Sequence, residues 1–298
     1  MIKRLAISTA CAIVFASVSG QNLVEKISDQ ICDCIDTIQN MDSLQAKIDR
    51  CAPESIDLIW GSENDEDEDY SVSDDSINNT MDSVMANLIY YCPKIRNFVL
   101  ADREAINYKM SVSEKANGFY KAGNEAFESE NYGTAEKKYL KAIKVDPKFV
   151  YAYDNLALAY RSSGKYKKSI KYYDKSLDIY PEGSFALQNQ AVAFTYLKDF
   201  RYALENYEKL VTLYPENPEG YYGIAKIYVI NEDYEDALDY VFCCHKLYSM
   251  QKSDYAKDSE KLISTIFDKL KEQNKLDLFY QKAKEYGIKT DSSTGAVN

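Results

Sequence analysis

Four of the chain's seven cysteines, Cys32, Cys34, Cys51 and Cys92, lie between residues 21 and 110. Thiols grouped in this way either cross-link or exchange. Exchange needs a thiolate at neutral pH, hence a positive surrounding. Here Asp33 and Asp36 flank the Cys-x-Cys pair and raise a thiol pKa. Two structural disulfides are therefore expected, with thiol-redox chemistry at Cys32 and Cys34 as the alternative. On a helix Cys32 and Cys34 point about 200° apart, so they do not bond each other. That leaves Cys32–Cys51 with Cys34–Cys92, or Cys32–Cys92 with Cys34–Cys51. The first is slightly favoured, because Cys34 and Cys92 both sit in the middle of an apolar stripe. Cys243 and Cys244 are adjacent, and a vicinal bridge in a helix is strained. They are expected as free thiols or an intermolecular link. The only histidine, His245, rules out a multi-His metal site. Asp65, Asp67 and Asp69 mimic the first ligands of a calcium loop. Tyr70 replaces its turn glycine and Ser76 its bidentate carboxylate, so a solvated acidic loop is expected over 61–80. Asn78-Asn79-Thr80 in that loop is a glycosylation sequon. No glycine-rich phosphate loop occurs. No metal, cofactor or enzymatic activity is expected.

The elements that position these residues are mostly helices. In 298 residues there are only 11 Gly and 6 Pro, against 27 Tyr. A hydrophobic share of 46% with a mean hydropathy of -0.45 excludes a polytopic membrane protein and a wholly disordered chain. Net charge is -11, which disfavours nucleic acid and anionic lipid as partners. The acidity is local: residues 21–110 hold 7 basic and 19 acidic side chains, residues 111–298 hold 27 and 28. Residues 1–20 combine Lys3 and Arg4, an uncharged run from Leu5 to Val18, and small residues Ser19 and Gly20. That is the pattern of a cleaved secretory leader, followed by no other span long enough for a membrane. The chain is expected to be periplasmic, on the outer surface, or secreted, in an oxidising compartment where disulfides persist.

Residues 21–110 read as a cysteine-bearing helical module. One helix is expected over 22–38, with Val24, Ile27, Ile31, Cys34 and Ile38 on one stripe, and a second over 81–100, interrupted at Pro93. Beyond it, Pro147, Pro181 and Pro215 recur every 34 residues. Cutting the sequence into windows 116–149, 150–183, 184–217 and 218–251 aligns seven positions without gaps. Small residues recur at position 8 (Gly123, Ala157, Ala191, Ala225) and at position 20 (Ala135, Ser169, Ala203, Ala237). Aromatics recur at position 17 (Tyr132, Tyr166, Phe200, Tyr234), and Tyr139, Tyr173 and Tyr207 share position 24. Small residues let two antiparallel helices approach, and large ones fill the space between hairpins. Residues 252–288 read as two amphipathic capping helices and 289–298 as a frayed tail.

This pattern resembles the tetratricopeptide repeat family over residues 116–251, four repeats in a domain bounded at 111–251. The resemblance implies an all-α superhelical solenoid of antiparallel helix pairs, preceded here by the small disulfide-bearing module. A cysteine module ahead of such an array also resembles exported proteins of Bacteroidetes-like bacteria. The family uses the first helix of each pair to line a concave groove for a protein or peptide partner. Carried over by position, that groove is Asn117, Tyr120, Asn124 and Phe127, then Tyr151, Asp154, Asn155 and Arg161, then Phe185, Gln188 and Tyr196, and last Tyr222 and Lys226. Each aromatic here could instead pack between hairpins. Asn124 and Asn155 match the amides with which co-chaperones of the family grip a terminal carboxylate. The cationic positions hold Tyr120, Phe185 and Asn189, so carboxylate capture is expected to be weak. An envelope carbohydrate-binding protein, with groove tyrosines stacked on sugar rings, is the alternative.

Overall fold

The computed structural model describes residues 23–63, 83–85 and 87–291, with side chains from 24 to 55 and from 83 onward. The leader, the calcium-like run, the sequon and the last seven residues lie outside the described residues. The chain divides into two compact units, one ending at Ile106 and the other beginning at Asn107.

In the first unit, α1 (Leu23–Cys34) and α2 (Met41–Glu63) precede a helical stretch through residue 91, and α3 (Pro93–Asn107) follows. Ile27, Ile31, Ile35, Leu44, Ile48, Val84, Leu88, Ile95 and Val99 make one buried core. Pro93 opens α3, where its missing N–H has no intrahelical partner to lose. Lys94 Nζ donates to the carbonyls of Cys32 and Ile35, at 3.2 and 3.0 Å, and so closes the end of α1.

The disulfides among the described residues of this unit are Cys32–Cys92 and Cys34–Cys51, which corrects the favoured pairing. The favoured pairing assumed a helix running to Ile38 with Cys34 in mid-stripe. The helix stops at Cys34, and Ile35 carries the buried stripe instead. Cys34 therefore sits at a helix end and bonds Cys51 in the next helix. Cys32, two residues further in and on the opposite side of the helix, stays in the core with Cys92. Cys244 is a buried free thiol, whereas Cys243 is buried in a disulfide rather than free.

The second unit is a row of helix pairs. These are α4 (Glu114–Glu128) with α5 (Tyr132–Val145), α6 (Val150–Ser162) with α7 (Tyr166–Ile179), α8 (Ser184–Tyr196) with α9 (Phe200–Leu213), and α10 (Pro218–Ile230) with α11 (Tyr234–Met250). A fifth pair, α12 (Ala256–Glu272) and α13 (Leu276–Glu285), packs Phe267 and Phe279 against Phe242 of α11. The small residues at positions 8 and 20 are all buried.

Every hairpin turns in the same way. The residue at position 15 takes a left-handed backbone: Glu130, Gly164, Lys198 and Glu232, at φ 56°, 73°, 61° and 65°. The next N–H reaches back five residues, as in Asn131 to Ala126, Lys165 to Tyr160, Asp199 to Phe194 and Asp233 to Tyr228, at 2.8–3.0 Å. These are Schellman caps. Only one of the four has the glycine that the geometry favours, so the hairpin packing holds three side chains in a strained region. Tyr153 and Tyr221 donate to the carbonyls of Pro147 and Pro215. Leu187 cannot, and Lys209 donates to Pro181 instead, at 2.8 Å.

Candidate protein-binding groove

The first helices of successive pairs touch one another: α4 with α6, α6 with α8, α8 with α10 and α10 with α12. Among the second helices only α11 and α13 are packed as closely. A row of hairpins drawn together on one side curves toward that side, so the first helices form its inner face.

The first-pair end of this face is an interlocked polar and aromatic patch. Asn155 Nδ2 donates to Tyr120 Oη at 2.9 Å and to Asn124 Oδ1 at 3.0 Å. Tyr139 Oη also donates to Asn124 Oδ1, at 2.8 Å. Both amides identified by position are thus engaged with their neighbours. The Tyr120 ring lies 5.1 Å from Phe149 and 6.1 Å from Tyr151. Burial raises the pKa of Tyr120 and Tyr139, so both hydroxyls stay protonated.

Asp154 is the deepest charged group on this face, 1% exposed. Its Oδ2 accepts from Tyr108 Oη at 2.6 Å. Its Oδ1 has no hydrogen-bond partner among the described residues. Burial raises its pKa to about 6, and the nearby hydroxyls of Ser176 and Tyr108 pull it only part of the way back. Burial and the Asp154 charge push the Tyr108 pKa far up. Tyr108 is therefore a permanent donor to a carboxylate that titrates near pH 6.

Further along, Arg161 lies half-buried two turns from Asp154 on α6, with its Nε unpartnered among the described residues. Its charge lowers the pKa of Tyr173 and Tyr207 beside it, against a larger upward push from burial. Phe185 packs beside Ala157, Tyr173 and Ala186. Gln188 is half-buried. Tyr222 meets Tyr248 edge-on at 6.2 Å, and Lys226 Nζ lies 5.5 Å over the Tyr222 ring. Phe127 sits edge-on to Tyr132 at 5.4 Å. Tyr196 is 61% exposed and stacks on Tyr166 at 4.7 Å. Phe127 and Tyr196 therefore belong to the hairpin-turn edge as much as to the inner face.

The sequence reading missed Tyr108 and Ser111. Asn117, placed in the groove by position, receives the Ser111 N–H at 3.0 Å and donates to the Ser111 carbonyl at 2.7 Å. Both missed residues precede position 1 of the first window, so the repeat carries no signal for them. In the first unit, Cys32 and Cys34 are bonded to different distant cysteines. The redox reading therefore has no Cys-x-Cys dithiol to work with.

Antiparallel helix pairs, each buried only against its neighbours, define a helical-repeat solenoid. The family model of the tetratricopeptide repeat matches residues 120–184 and 189–242, and the array of this chain is a tetratricopeptide-repeat array. Among solved structures, a MamA double mutant of strain RS-1 is similar at 15% identity, over 59% of this chain and 94% of that one, with TM-score 0.50. MamA 41-end from Desulfovibrio magneticus RS-1 shows 15% identity over 59% and 93%, with TM-score 0.49. PilF of Pseudomonas aeruginosa shows 17% identity over 58% and 75%, with TM-score 0.47. At such identities the likeness concerns the fold. No curated protein matches the sequence. Arrays of this family bind protein partners, and no helix among the described residues is long and apolar enough to cross a membrane.

Proposed function

We propose that this chain is an exported, non-enzymatic scaffold that binds a protein or peptide on the inner face of its repeat array. The supporting observation is an inner face carrying half-buried aromatic, amide and cationic side chains from Asn117 to Tyr222, with Lys226 exposed at its end. Aromatic and Arg anchors of this kind carry most of the energy in protein interfaces. With 27 basic and 28 acidic side chains from residue 111 onward, the array has no excess positive charge to attract a nucleic acid. Export is supported by the leader pattern of residues 1–20 and by two disulfides, which persist only outside a reducing compartment.

Affinity capture from a cell-envelope extract tests this reading. Gln188→Ala, Tyr222→Ala and Lys226→Glu on the inner face should each deplete the captured partner. Lys167→Glu and Lys171→Glu, exposed on α7, should leave it. Capture that is absent, or equally sensitive on both faces, rejects the groove.

A further inference from the structure

The segment from Asn107 to Ser113 is not helical after its first residue, yet it is held by contacts of the kind that hold a bound peptide. Its backbone is gripped on both sides of Ser111 by the Asn117 amide. Its Ser111 hydroxyl donates to Asp146 Oδ2 at 2.5 Å. The Tyr108 ring lies 4.5 Å from Tyr151 and 6.0 Å from Tyr180, and its hydroxyl caps the buried Asp154. Tyr151 Oη donates to the Tyr108 carbonyl at 3.4 Å. Three of these partners, Asn117, Tyr151 and Asp154, are residues that the repeat register assigns to the groove. The amide clamp reads only backbone, and Asp146 only a hydroxyl. The ring slot and the carboxylate at its base together read a phenol.

We propose that Tyr108 is an occupant in cis of a tyrosine-reading subsite, and that the array's partner presents an extended segment whose tyrosine displaces it. The inference rests on the groove reading above and names the chemistry of its ligand. The cis segment leaves polar atoms unanswered. Asp154 Oδ1 beside the phenol, and Arg161 Nε further along the face, have no hydrogen-bond partner among the described residues. A longer ligand gains there what the tethered segment cannot reach. That gain is needed, because a short tether gives the cis tyrosine an effective concentration of about millimolar. The seven-residue segment thus sets a threshold that a bare tyrosine peptide does not pass in the wild-type chain.

The probe is a fluorescent heptapeptide, Asn-Tyr-Lys-Met-Ser-Val-Ser, copied from residues 107–113. Its binding to the full chain is followed by anisotropy. Tyr108→Ala should bind it about tenfold or more tighter than the wild type, and Tyr108→Phe should lie between them. The same peptide with its tyrosine replaced by alanine should not bind. Adding Asp154→Asn to Tyr108→Ala should weaken binding about tenfold, the loss of a charged acceptor. Circular dichroism checks that each variant is folded. If Tyr108→Ala is not, Tyr108→Phe decides, since it keeps the ring and frees the carboxylate. Equal binding to the wild type and the deciding variant, or none to a folded one, overturns the inference. If envelope capture still depends on Gln188 and Lys226, the groove reading survives that failure. If capture is also lost, both fall.

Discussion

Asp154 is the residue where burial and charge oppose each other most directly. Its folded pKa of about 6 lies above the ordinary 3.8. Between those values the folded chain therefore holds more protons than the unfolded one. The sign follows: Asp154 contributes its full stability below about pH 4 and loses it as pH rises through 6. The loss is about 3 kcal/mol in order of magnitude. Asp154→Asn removes the titration and keeps an oxygen to accept from Tyr108. The expected result is a Tm difference that grows in favour of Asp154→Asn from pH 4 to pH 7. Carboxylates common to both proteins cancel in that comparison, and parallel Tm curves would refute it. The sequence placed Asp154 in the groove by register alone. Its burial was not legible there, because the group that covers it, Tyr108, belongs to no repeat. Cys244, expected as a free thiol, is one, buried with its thiol on the Val241 carbonyl.

At the scale of the elements, the 34-residue period revealed the hairpins because each position has one steric task. Position 8 shows how strict that task is. Ala stands there in three windows, but the first has Gly123, and a Cβ at Gly123 would lie 2.5 Å from the Tyr139 ring. Five residues earlier on the same helix, a Cβ at Gly118 would meet nothing within 4 Å. The same substitution should therefore have opposite signs. Gly118→Ala should stabilise by about 0.5–1 kcal/mol through helix propensity. Gly123→Ala should destabilise by about 1–3 kcal/mol through overpacking. Urea denaturation of the two variants gives the comparison, and a shared sign would contradict the packing. The turns were only half legible. Gly164 announces a left-handed residue, whereas Glu130, Lys198 and Glu232 reach the same conformation without a local signal, held by their hairpins. The end of α1 was misread for a related reason. Nothing in the local stripe shows that Lys94, distant in sequence, caps the helix at Cys32 and Ile35.

At the scale of the whole molecule, two units are held by different means, and their stabilities should separate. The array buries each hairpin against the next, so its cohesion is spread along the row. The unit ending at Ile106 rests on one small core and two cross-links, which close separations of 60 and 17 residues. Loop-closure entropy assigns these about 4 and about 3 kcal/mol. That compares with a net stability of about 5–15 kcal/mol for a typical domain. Replacing Cys32 and Cys92 together by serine should therefore bring the first unit close to unfolding while the array stays intact. The chain carries its own reporters for this. Its only tryptophan, Trp60, belongs to α2, and 23 of its 27 tyrosines follow residue 110. On heating the double variant, tryptophan emission should change well below the wild-type midpoint. Tyrosine signal and helical dichroism should keep their main transition within a few degrees. A single shifted transition seen by both probes would mean that the units unfold as one, and that the longer disulfide stabilises the array as well.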